Sequence, residues 1–106
     1  MMEKQIEILN QLTNIISDEA NKDYDSVTYK GIINVEEGWL DSGFSFIRNG
    51  QKVSTALSEK GEDNIFALVF RLHQEMKTHT GGEWMAFTLT IAEDGKVKTH
   101  FEYPEK

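Results

Sequence analysis

Gly43-Phe44-Ser45-Phe46-Ile47-Arg48-Asn49-Gly50-Gln51-Lys52-Val53-Ser54-Thr55-Ala56-Leu57 is the stretch that decides the fold. Asn and Gly tolerate the positive φ that a two-residue type I′ turn requires, so Asn49-Gly50 reads as a hairpin between two antiparallel strands. Phe44 and Phe46 share one face before the turn, and Val53, Thr55 and Leu57 share one face after it. A sheet with one apolar and one polar face needs a cover on its apolar side only.

Upstream, Val27, Tyr29, Ile33 and Val35 fall at period two within Ser26–Val35, which predicts a strand. Glu36-Glu37-Gly38-Trp39-Leu40-Asp41-Ser42-Gly43 then reads as an acidic hairpin loop. From Glu3 to about Ala20 the stripe Ile6, Leu9, Leu12, Ile16, widened by Ile8 and Ile15, has helical spacing. Downstream, Ser58–Asp63 breaks the strand pattern. Ile65, Leu68, Val69, Leu72 and Met76 follow at helical spacing, with Phe66 and Phe70 alongside, up to a stop at Gly81-Gly82. Two strands close the chain, one carrying Met85, Phe87, Leu89 and Ile91 on one face, the other Val97, Thr99, Phe101 and Tyr103. Asp94-Gly95 joins them as a tight turn.

The order α-β-β-β-α-β-β predicts an α+β two-layer sandwich, a five-stranded antiparallel sheet with two helices on one face, as a single domain over residues 1–106. The chain has 106 residues, 39% of them hydrophobic and 27% charged, the composition of an ordinary globular domain. With 11 Lys+Arg against 18 Asp+Glu the net charge is −7, which argues against gripping nucleic acid. The absence of cysteine excludes a disulfide framework and thiolate catalysis, and fits a cytoplasmic protein. The N-terminal stretch lacks an apolar signal region and no run is apolar enough to span a membrane, so neither secretion nor membrane insertion is expected.

Candidate chemistry is sparse. His73, His79 and His100 do not pair at metal-ligand spacing, and no phosphate-binding or nucleophile motif occurs, so neither metal nor cofactor is expected. Lys98, His100 and Glu102 share a strand face, near Thr88 or Thr90 of the neighbouring strand, and could form an acid–base cluster; an alternating polar face needs no such explanation. Trp84 at the start of a strand reads as packing, whereas Trp39, at a loop tip, reads either as an interface anchor or as folded back on the sheet. Asp18 and Glu19 oppose the dipole of the first helix, so either that helix ends early or they answer to something outside it.

If every element crosses the domain once, successive links alternate between its two ends. One end then collects Glu36, Glu37, Asp41, Glu59, Glu62, Asp63, Glu93 and Asp94 against Lys60 and Lys96, and the other is nearly balanced. An acidic pole around Trp39 is expected, suited to steering and holding a basic partner.

The element order, the Trp84-x-x-Phe87-x-Leu89-x-Ile91 strand and the ending Gly95-Lys96-Val97-Lys98-Thr99-His100-Phe101-Glu102-Tyr103 resemble the YezG-like family of bacterial immunity proteins. The resemblance implies a small non-enzymatic antitoxin that neutralises a nuclease toxin used in competition between bacteria. On that reading Glu36, Glu37, Trp39, Asp41, Glu59, Glu62 and Asp63 are the candidate partner-binding residues, facing a basic toxin domain. Binding through the open sheet face, an enzyme or ligand-binding domain built on His100 and Glu102, and homodimerisation through an edge strand are the competing readings.

Overall fold

The computed structural model describes residues 3–104. Its elements are α1 (Glu3–Glu19), β1 (Ser26–Asn34), β2 (Trp39–Arg48), β3 (Gln51–Ser54), α2 (Glu59–Thr80), β4 (Ala86–Ile91) and β5 (Val97–Glu102). The strands form one antiparallel sheet in the order β3-β2-β1-β4-β5, so the expected α+β architecture holds and β1 is its central strand. Asn49 and Gly50 have φ of 53° and 76°, the left-handed pair that the type I′ turn demands.

Val27, Tyr29, Phe44, Phe46, Phe87, Leu89 and Ile91 line the covered face of the sheet, and Ile8, Leu12, Ile16, Ile65, Val69 and Leu72 meet them from the helices. Tyr29 is fully buried on that face, its hydroxyl 2.7 Å from Ser42 Oγ. A Cβ on Gly31 would stand 2.9 Å from the same hydroxyl, so only glycine leaves room for the ring to lie across β1.

The two helices are antiparallel and clasped at one end. Ser58 caps α2, its hydroxyl accepting the Gly61 N–H at 3.0 Å. Glu19, the last residue of α1, accepts from the Ser58 N–H at 2.6 Å and from its hydroxyl at 2.7 Å. In a capping box that carboxylate would come from the third helical residue; here the third residue is Gly61 and the carboxylate comes from the other helix. Asp18 pairs with Lys22 at 3.4 Å. Of the two explanations for these acids, the second is correct: α1 runs to Glu19, and both carboxylates serve partners outside its last turn. Arg48 ties the α1–β1 link to the hairpin by donating to Asp23 O at 2.7 Å and Ala20 O at 3.2 Å.

Several expectations need correction, among them the third strand, which ends at Ser54 rather than running on through Leu57. The buried line of α1 is Gln5, Ile8, Leu12 and Ile16 rather than one beginning at Ile6, which is 53% exposed. Ile6, Ile8 and Leu9 crowd one turn, and the apolar pattern alone leaves the phase of the stripe open. Val35 lies in the β1–β2 turn and is half exposed. The second strand begins at Trp39, opposite Asn34, so Trp39 and Asp41 belong to a strand and not to a loop. Finally, Met85 is 45% exposed while Trp84 is buried at 1%. Met85 N–H donates to Glu102 O at 2.8 Å although Ala86 is the residue registered opposite Glu102, so two residues face one and the bulge shifts the alternation. Trp84 thereby enters the core, as its packing role required, against His73, Phe87 and Phe101.

Candidate functional site

Asn34 builds the turn that carries the first candidates. Its side-chain oxygen accepts the Glu37 N–H at 3.0 Å and its carbonyl accepts the Gly38 N–H at 2.8 Å. Gly38 supplies the positive φ, 74°, that lets β2 start at once. Glu36 and Glu37 are exposed on this turn. Phe44 and Phe46 face the core, so by alternation Trp39 and Asp41 project from the opposite, uncovered face. Trp39 is 43% exposed there. Glu36, Glu37, Trp39 and Asp41 therefore gather at the end of the sheet where β1 finishes.

Glu59 and Asp63 do not join them, whereas Glu62 acts on the same buried Tyr29 hydroxyl as Asp41 does. All three lie at the start of α2, which the Glu19–Ser58 clasp holds near the end of the sheet where β1 begins. Glu93 and Asp94 are also at that end, because Ile91 and Val97 are registered in line with Val27. The single acidic pole is thus a prediction that the topology overturns for Glu93 and Asp94. β3 has only four residues and does not cross the domain, so the link after it returns to the end it came from and the parity of every later link is reversed. The acids are divided between two ends.

What unites the six candidate acids is the lack of internal neutralisation. Among the described residues Asp18, Asp23, Glu83, Asp94 and Glu102 each hold a lysine or arginine within 4 Å, whereas Glu36, Glu37, Asp41, Glu59, Glu62 and Asp63 enter no ion pair. For Glu59 and Glu62, in the first turn of α2, the helix dipole provides a local reason. The turn acids and Asp41 have none.

Elsewhere on the uncovered face Glu102 is bound to Lys30 at 3.3 Å, Thr28 and Thr90 hydroxyls are 3.4 Å apart, and His100 is exposed opposite Thr88 on edge strand β5. Glu102 is thus engaged by a lysine. His73, by contrast, is buried in a packing position, where its ring donates to Trp84 O at 3.0 Å and burial pushes its pKa down. No group of His and acidic side chains among the described residues could hold a metal ion, and no helix is long and apolar enough to cross a membrane.

One feature escaped the sequence pattern. β3 pairs only with Ser45–Arg48, so residues 39–44 of β2 have a strand on one side alone. A shallow depression of about 630 Å³ opens where β3 leaves β2, between Ser42, Gly43 and Phe44 on one bank and Ser54, Thr55 and Ala56 on the other. Val53, Thr55 and Leu57 continue the strand alternation in sequence, which hides the departure.

No curated relative matches the chain. The pattern of the YezG-like immunity proteins matches residues 44–106, more than half of the chain, from Phe44 through β5. Glu36, Glu37, Trp39 and Asp41 lie outside the matched range, so the assignment does not depend on them. The chain belongs to the YezG-like immunity protein family.

Proposed function

We propose that this immunity protein binds and neutralises a cognate toxin in the cytoplasm, that the toxin domain is a basic nuclease, and that Glu36, Glu37, Trp39 and Asp41 contact it. The protein acts as a stoichiometric inhibitor with no catalysis and no cofactor. The observation that carries this reading is the combination, at one sheet end, of three carboxylates that enter no ion pair among the described residues and a half-exposed tryptophan. A nuclease surface that holds phosphates is rich in Lys and Arg. Carboxylates facing it raise the association rate and set orientation, while an aromatic ring at the centre of the contact supplies affinity.

The test starts from the reading frame next to this chain's gene: a toxin domain found there is prepared in inactive form and its binding measured. Joint replacement of Glu36, Glu37 and Asp41 by Lys slows association, and the loss is larger at low salt than at high. Trp39→Ala raises the dissociation rate and weakens binding roughly 30-fold, about 2 kcal/mol. Unchanged binding in both variants overturns the assignment of this surface.

A further inference from the structure

We infer that the vacant edge of β2 is where an extended segment of the toxin adds to the sheet, continuing the line of β3 along residues 39–44; this rests on the immunity reading above. The free edge is about 20 Å long at the rise of an antiparallel strand. The two-residue Asn49-Gly50 turn makes Arg48 and Gln51 a hydrogen-bonded pair. Alternation then points the N–H and C=O of Leu40, Ser42 and Phe44 to the vacant side, and those of Asp41 and Gly43 to β1.

There is room beside these groups. The depression of about 630 Å³ opens beside them on the uncovered face, lined by Thr28, Lys30 and Lys52 as well as by Ser42, Gly43 and Phe44. β3 stops short because Leu57 packs against the core and Ser58 is tied to Glu19, which carries the chain off the line of the strand. Gly43 leaves the approach open, since a Cβ there would meet nothing nearer than Lys30 O at 4.0 Å. Natural edges are normally blunted by proline, lysine or a covering segment. Residues 39–44 contain neither of those residues, and Asp41 is their only charge.

That charge selects the occupant. A residue paired opposite Asp41 would project from the same uncovered face, beside a carboxylate without an ion pair and near Glu36 and Glu37. A toxin strand is favoured that bears Lys or Arg opposite Asp41 and an acidic or neutral residue opposite Gly43, where Lys30 and Lys52 line the depression. A second copy of this chain would instead bring two acidic edges together.

The experiment uses the full chain and the inactive toxin domain identified by the binding test above. In the free protein, amide exchange at Leu40, Ser42 and Phe44 is faster than at Asp41 and Gly43, and toxin binding protects the first three. Ser42→Pro removes one outward N–H, whereas Ser42→Ala removes only the hydroxyl. Ser42→Ala binds nearly as the wild type does, and Ser42→Pro binds about 100-fold more weakly. If Ser42→Pro fails to fold, amide protection in the wild-type complex decides. Tight binding with those three amides still exchanging overturns the edge proposal while leaving the immunity reading intact. Protection that appears with protein concentration alone overturns it in favour of self-association. No binding by the wild type overturns the immunity reading, and this inference with it.

Discussion

Gly61 and Glu19 make each other necessary. A Cβ at position 61 would stand 2.7 Å from the Glu19 carboxylate, which is itself held by two hydrogen bonds from Ser58. In an ordinary helix Gly→Ala adds about 1 kcal/mol of stability. Here Gly61→Ala displaces the cap and gives no gain, while the same change in a Glu19→Ala background recovers it; urea midpoints of the four proteins in the cycle measure the coupling. His73 sets a pH dependence. Its folded pKa lies below the ordinary value of 6.5, so the unfolded chain binds more protons and stability rises with pH. Stability is complete above about pH 6.5 and falls as pH drops from there through the lowered folded pKa. Thermal melts between pH 7.5 and 5 show this decline, and His73→Gln flattens it.

At the scale of elements, the Asn49-Gly50 turn was legible because its chemistry is local: only a few residue types accept φ of 53° and 76° in succession. Gly50→Ala costs about 1–2 kcal/mol, read from the denaturation midpoint, with no other contact altered, since nothing lies within 4 Å of a Cβ there. α2 and most of the period-two strands were legible for the same reason, since periodicity reports which face is buried; in α1, where Ile6, Ile8 and Leu9 crowd one turn, it reports the helix but not the phase of its stripe. What alternation cannot report is where pairing stops. Val53-Ser54-Thr55-Ala56-Leu57 alternates throughout, yet the ladder ends at Ser54 because Ser58 is claimed by a residue 39 positions earlier. The acidic pole, the free edge of β2 and the strand position of Trp39 all turn on such endings. The bulge at Met85 is another, and it decides which of two large side chains the core receives.

For the whole molecule, the net charge of −7 is a weak guide and its distribution a better one. Acids at both ends of the sheet repel one another as well as neighbours in the same cluster. Joint replacement of Glu36, Glu37 and Asp41 by the neutral amides therefore leaves stability unchanged or raises it by up to about 0.5 kcal/mol, while toxin binding falls. A melt and a binding titration on one sample check both parts, and a coupled loss of fold and binding contradicts the functional assignment of these side chains. The position of β1 in the sheet has a consequence for the chain as it is made. β1 can pair with β2 as soon as the hairpin emerges, but its other neighbour is β4, which follows only after α2 is complete. At roughly 5–20 residues per second, the ribosome holds the central strand half-paired for several seconds. The sheet is thus completed only once β4 and β5 have been synthesised, and a message cut short before them leaves β1 with one partner.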